Sequence, residues 1–247
     1  AVLNQVASYS DALQVTPQDV IVSWLPLYHD MGLIAGFLLP LIQGIPLVLM
    51  SPFDWVKRPA MLLKAIDRYQ GTLCWLPNFA YNHMARRIRQ RDTEGISLKS
   101  MRAFINCSEP VYDTSHALFL EKYNKLGLNP EHLTVSYAMA ENTFAVTQTP
   151  IGQAPQIDII NRVHLQEDLK AVQVDADHPD ARVLVSCGKA ITNTQVKVVD
   201  VEGNTLGDRQ IGELMVHSNC MLTEYYKRDD LQPFDVAGWY HTGDRGY

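Results

Sequence analysis

Short apolar runs separated by polar stretches of helical length set the plan of the chain up to Val135. Residues 20–24, 45–50, 72–76, 101–105 and 133–135 are too short for helices and almost free of charge, which predicts strands buried on both faces. Between them the spacing predicts helices over 4–13, 31–42, from Arg58-Pro59 through Tyr69, from Pro77-Asn78 to Arg89, and over 114–126 with Gly127 as its end cap. In the Arg58–Tyr69 stretch, Met61, Leu62, Ala65 and Tyr69 fall on one helical face. Strand–helix alternation of this kind predicts an α/β fold, a doubly wound and mainly parallel sheet flanked by helices, over residues 1–150.

Beyond Glu141 the texture changes. Residues 183–186, 195–200 and 212–217 alternate or run apolar, with a turn signal at Glu202-Gly203-Asn204. They predict a smaller antiparallel, barrel-like β unit over 183–247. The connection 151–182 shows no firm pattern and reads as a strand-containing insertion.

Composition narrows the partners. With 47% apolar and 19% charged residues in 247, the chain has the make-up of a folded globular protein. A net charge of −6 and a largest basic cluster, Arg86-Arg87-Ile88-Arg89-Gln90-Arg91, that continues a helix end argue against nucleic acid as a partner. The charge-free stretch 31–50 has the length of a membrane span, yet Pro40, Gln43, Gly44 and Pro46 break it. A buried helix and strand are expected there, and no transmembrane segment. Cys74, Cys107, Cys187 and Cys220 form no C-x-x-C pair, as expected for free thiols in a reducing cytoplasm. The chain opens at Ala1-Val2-Leu3-Asn4 without Met and stops at Asp244-Arg245-Gly246-Tyr247, so both ends are expected to be cut from a longer protein.

Candidate chemistry sits where strands end. Strands of a parallel sheet all end on one edge, so Tyr28-His29-Asp30, 106–110 and 136–143 should converge on one crevice. The last of these, Ser136-Tyr137-Ala138-Met139-Ala140-Glu141-Asn142-Thr143, offers an aromatic face, small residues and one carboxylate. These suit a base, a close-approaching phosphate and a divalent cation. A plain strand-to-loop junction is the other reading of the same residues. Near the C-terminal end, Gly243 and Gly246 would let the backbone turn tightly around Asp244, whose carboxylate could accept from two ribose hydroxyls. Taken alone, Asp244 is equally a turn aspartate.

These stretches in order resemble the adenylate-forming superfamily of acyl-CoA ligases, fatty acyl-AMP ligases and peptide-synthetase adenylation domains. The set is Ser23-Trp24-Leu25-Pro26-Leu27-Tyr28-His29-Asp30-Met31-Gly32-Leu33, then 106–111, 137–143, Gly212-Glu213-Leu214 through Tyr225-Tyr226, and 240–247. Its wording looks most like the fatty acyl-AMP ligase branch, over essentially the whole chain. The resemblance implies that a fatty carboxylate attacks the α-phosphate of ATP, giving acyl-AMP and pyrophosphate, with the acyl group passed to a carrier protein or to CoA. It implies a Mg²⁺-binding and catalytic role for Glu141, adenine stacking on Tyr137, ribose binding by Asp244, and an adenine pocket walled by Ser108, Glu109 and Pro110 beside Ala138 and Met139. His29 matches the position next to the reacting carboxylate. The helix over 31–42 and Pro77-Asn78-Phe79 would line an acyl tunnel.

Two departures stand out. Ala138 replaces the branch's usual Gly, and Cys107-Ser108 its usual Gly-Ala. By the same resemblance, a phosphate loop would precede Ala1 and a domain with a catalytic lysine would follow Tyr247. The segment alone is therefore expected to be inactive.

Overall fold

The computed structural model describes residues 1–247. Its strands are β1 (Ile21–Ser23), β2 (Leu47–Leu49), β3 (Leu73–Leu76), β4 (Ala103–Asn106), β5 (Leu133–Ala138), β6 (Ala145–Gln148), β7 (Ile157–Asn161), β8 (Ala181–Val185), β9 (Lys189–Ala190), β10 (Thr194–Val199), β11 (Gly212–Ser218) and β12 (Tyr240–Gly246). Seven of them form one sheet in the order β2-β1-β3-β4-β5-β6-β9. The first five are parallel, and β6 and β9 join antiparallel. β10, β11 and β12 make a three-stranded antiparallel sheet, and β7 pairs with β8. The expected α/β class holds; of the β unit expected over 183–247, β10, β11 and β12 form an antiparallel sheet, while β9 joins the main sheet and β8 pairs with β7 from the connection.

The helices are α1 (Val2–Ala12), α2 (Leu39–Gln43), α3 (Pro52–Lys57), α4 (Ala60–Tyr69), α5 (Asn78–Arg87), α6 (Asp113–Tyr123) and α7 (Arg162–Glu167). Two features depart from the pattern reading. The single helix expected over 31–42 is a π-helix, Met31–Leu38, followed by α2. Met-Gly-Leu-Ile-Ala-Gly-Phe-Leu is apolar on every side, so it has no polar stripe to report its winding. Gly32 lets the first turn seat against the preceding loop, because a Cβ there would lie 2.2 Å from the Pro26 carbonyl oxygen. The second feature is the helix α7 in the connection, where only a strand, here β7, was expected. Asn161 caps α7, its Oδ1 accepting from the amides of Val163 (2.8 Å) and His164 (3.2 Å).

At the N-terminal edge of the parallel strands, Asp19 ties three elements together. Its carboxylate accepts from Arg102 Nη1 at 2.6 Å, from the Thr72 hydroxyl at 2.7 Å and from the Thr16 amide at 2.8 Å. Burial alone would raise this carboxyl, but those hydrogen bonds and the Arg102 charge outweigh it and hold Asp19 below the usual carboxylate range. The lock closes the sheet edge opposite the strand ends, where the candidate chemistry lies.

Candidate functional site

β5 does not end at Val135. Ser136, Tyr137 and Ala138 continue the strand because β6 pairs with them antiparallel, Ser136 opposite Gln148 and Tyr137 opposite Thr147. Tyr137 is thus a strand residue, and the turn begins at Met139 with a short 3₁₀ segment, Ala140–Asn142. Thr143 follows at φ +65°, a costly conformation for a β-branched residue. Its hydroxyl donates to the Cys220 carbonyl at 2.7 Å, which helps hold it there.

Asp244 also lies on a strand, not in the expected turn. Opposite β11, Met215 pairs with His241 and Glu213 with Arg245, so β12 bulges between them. Gly243, at φ +73°, supplies the left-handed residue the bulge needs. Between those pairs one residue of β11, Leu214, faces three of β12, an excess of two, so Tyr240 and Asp244 keep the same side of the strand.

Across 107 positions of sequence, the Tyr137 hydroxyl donates to Asp244 Oδ2 at 2.5 Å. Burial, followed by the adjacent Asp244 carboxylate, pushes the Tyr137 phenol well above its ordinary value, so the hydroxyl keeps its proton as donor. The pair stands in a cleft of about 1190 Å³ lined also by Ser108, Glu109, Pro110 and Ala138. Six of the nine candidate residues therefore share one cavity.

The other three sit apart from its walls. Met139 Sδ lies 4.0 Å from the Tyr137 hydroxyl. Glu141 Oε1 accepts from the Tyr225 hydroxyl at 3.0 Å, and that hydroxyl lies 2.7 Å from the hydroxyl of Tyr240. His29 is half-exposed, with Nδ1 2.7 Å from Asp30 Oδ1. The loop carrying it reaches the 106–110 loop through Met31, whose Sδ meets Cys107 Sγ at 3.1 Å and Ser108 Oγ at 3.8 Å.

The 106–112 loop is fastened to the start of α5. Asn78 Oδ1 accepts from Asn106 Nδ2 (3.2 Å) and from the Tyr112 amide (3.3 Å), one bond at each end of the loop. Glu109 Oε2 accepts from the Phe79 amide at 2.9 Å, a favourable place for a carboxylate at a helix N-terminus. The second hydrogen of Asn106 Nδ2 meets His116 Nε2 at 3.0 Å. Burial lowers His116 to about 4, so near neutral pH the ring is uncharged and Nε2 accepts. Between these anchors Ser108 is held at φ +67°, a strained conformation for a residue with a Cβ.

Asn78, Tyr225 and Tyr240 fall in stretches singled out from the sequence, Asn78 as a lining of the acyl tunnel, but none of them was expected to build the site. A spacing signal existed for one of them, since Tyr240 stands four residues before Asp244 as Tyr137 stands four before Glu141. Phe79, expected on an acyl tunnel, is 46% exposed and sets its edge against Trp24 and Trp55, which stack 3.7 Å apart. Met31, Ile34 and Leu39 are buried in the main core. No three His, Cys, Asp or Glu residues gather as a metal cluster, and no helix is long and apolar enough to cross a membrane.

Residues 1–226 match the family model described as AMP-binding enzyme. A long-chain-fatty-acid–AMP ligase, FadD32 of Mycolicibacterium smegmatis, is 32% identical over 98% of this chain and 42% of its own length. A putative fatty-acid–CoA ligase, fadD25 of Mycobacterium tuberculosis, is 32% identical over 94% of this chain and 41% of its own. The solved fatty acyl-adenylate ligase from L. pneumophila, in complex with acyl adenylate and pyrophosphate, superposes with a TM-score of 0.94 at 31% identity, covering 100% of this chain and 44% of that one. The chain thus spans less than half the length of each of these relatives.

Proposed function

The chain belongs to the AMP-binding enzyme family, and from that premise we propose that it forms the acyl- and adenine-binding part of a fatty acyl-AMP ligase. The observation that carries this reading is the Tyr137–Asp244 pair across the cleft. An aromatic ring beside a carboxylate is what a purine and its ribose require. Tyr137 would stack the adenine against the 108–110 loop and Ala138. Asp244 has a second carboxylate oxygen free of Tyr137, and it would accept from the ribose hydroxyls. In this assignment residues 1–150 carry the acyl and adenine side, 151–182 connect, and 183–247 carry the ribose side.

The reaction forms a bond from a fatty carboxylate oxygen to the α-phosphorus of ATP and breaks the bond to pyrophosphate, leaving acyl-AMP. His29 would orient the attacking carboxylate, a positioning effect. Glu141 suits Mg²⁺ bound with ATP, because such ions take one or two carboxylates and draw their other ligands from phosphate and water. The ion would offset charge gathering on the phosphate oxygens. Tyr137, Asp244 and the fastened 106–112 loop do the rest by fixing the nucleoside before reaction. The four free cysteines support a reducing cytoplasm as the setting.

The acceptor has two candidates, a carrier protein, in line with the likeness to the long-chain-fatty-acid–AMP ligase, and CoA, in line with the likeness to the putative fatty-acid–CoA ligase. The test is to incubate the full-length protein with ATP, Mg²⁺ and a fatty acid, with and without CoA. Fatty-acid-dependent release of pyrophosphate and acyl-AMP without acyl-CoA is the expected result. Acyl-CoA formation would move the assignment to the CoA ligases, and no pyrophosphate release would reject adenylation.

A further inference from the structure

A carboxylate that serves as a cation ligand must present one oxygen in a fixed direction, and nothing within the turn 139–143 does this for Glu141. The restraint comes from the segment 218–225. Leu222 donates its amide to the Glu141 carbonyl at 2.7 Å, Thr143 donates its hydroxyl to the Cys220 carbonyl at 2.7 Å, and Ser218 Oγ is hydrogen-bonded to Asn142 Oδ1. Each of the three residues 141–143 is thus fastened to the same short segment. That segment then delivers Tyr225, whose hydroxyl reaches Glu141 Oε1 at 3.0 Å.

Proton counting fixes the direction of the next bond. An ionised carboxylate can only accept, so Tyr225 spends its one hydrogen on Glu141. Tyr240, 2.7 Å away, must then donate to the Tyr225 oxygen. Two phenols in series end on a single carboxylate oxygen, and such chains strengthen each link. Tyr240 is 5% exposed and sits on β12, the strand that carries Asp244 on the same side. One strand therefore supplies both the carboxylate facing Tyr137 and the hydroxyl behind Glu141.

We propose that Tyr225, backed by Tyr240, is a positioning residue that occupies Glu141 Oε1 and leaves Oε2 as the oxygen offered to a divalent cation. This rests on the assignment of Glu141 as the cation-binding carboxylate. Partners behind a metal ligand are typically worth about 10–100-fold in metal affinity, which sets the size of effect to look for.

The experiment compares the full-length protein with its Tyr225→Phe, Tyr240→Phe and Glu141→Gln variants. Two readouts are taken besides thermal melting: Mn²⁺ binding by electron paramagnetic resonance in the presence of a non-hydrolysable ATP analogue, and the Mg²⁺ concentration for half-maximal pyrophosphate release. Tyr225→Phe should weaken Mn²⁺ binding and raise the Mg²⁺ requirement by about 10-fold, with nucleotide affinity in the absence of metal unchanged. Tyr240→Phe should do the same to a smaller extent, and it carries the test if the Tyr225 variant melts early. Unchanged Mn²⁺ binding in a folded Tyr225→Phe, while Glu141→Gln loses it, would overturn the proposal alone. Unchanged Mn²⁺ binding in Glu141→Gln would overturn the assignment of Glu141 itself.

Discussion

Around the parallel sheet 37 buried residues form one apolar cluster, whereas Ile160 of β7 shares a cluster of only three with Ala171, which follows α7, and Ile211, which precedes β11. The two regions are built on different forces. The first is a packed core closed at one edge by the Asp19–Arg102 pair, which at 1% exposure of the Asp19 side chain is nearly dry on one side. The second relies on strand ladders and on partly exposed polar ties such as Arg209 to Asp158 at 2.9 Å. The cleft draws one partner from each, Tyr137 from the packed region and Asp244 from the lightly packed one. Rigid placement of the aromatic ring and lighter support of the carboxylate follow from this division. A nucleoside bridging the pair would add its own bonds across the join.

Truncation of the core should separate the two regions most sharply. Phe104→Ala should cost about 4 kcal/mol, against about 2 kcal/mol for Ile160→Ala, both read by urea unfolding. Equal costs would mean that the smaller cluster is as well packed as the large one.

Next in size is the sheet-edge lock. Asp19→Asn removes the charge facing Arg102, whose guanidinium keeps its bonds to the Leu13 and Gln14 carbonyls, and should cost about 3 kcal/mol near neutral pH. The pH course has a definite sign. Asp19 is held below its unfolded value, so its contribution is full above roughly pH 3.9 and is lost as pH falls through its lower folded value. His116 works higher up: folded it titrates near 4 and unfolded near roughly 6.5, so the unfolded chain takes up the proton first. Stability should therefore fall from about pH 6.5 down to 4, and His116→Gln should flatten that part of the urea-midpoint curve. Persistence of the slope in the variant would assign it to other groups.

Asp244→Asn tests the lightly packed region. It removes a charge-assisted acceptor and should weaken nucleotide binding by about 2 kcal/mol, with little change in melting temperature because Asp244 is exposed. The smallest effect is expected at the loop fastening. Asn78→Ala should raise the KM for ATP by about 1 kcal/mol in binding terms, leaving the KM for fatty acid unchanged. A parallel rise in both would mean that Asn78 supports the whole sheet edge.

The parallel region was legible because its strands are uninterrupted apolar runs. β1, β3 and β4 lie within one or two residues of the expected segments. What the pattern missed depends on contacts distant in sequence. Tyr137 belongs to a strand only because β6 folds back onto it, and Asp244 only because β11 supplies a ladder on either side of the Gly243 bulge. The winding of 31–38 left no trace in a stretch with no polar face. The choice of Tyr137, Asp244 and 108–110 came from motif order, and the cleft unites them. The fastening by Asn78 and the Tyr225–Tyr240 series are side-chain meetings across 15 to 84 positions, which spacing along the chain does not encode.

The most direct test of the cleft as an adenylate site is calorimetric binding of a non-hydrolysable acyl-adenylate analogue to the full-length protein and its Asp244→Asn variant. We expect tight one-to-one binding, weakened by roughly 30-fold in the variant, the equivalent of about 2 kcal/mol. Equal affinity in the two proteins would contradict the assignment of Asp244 to the ribose and, with it, the reading of the Tyr137–Asp244 cleft.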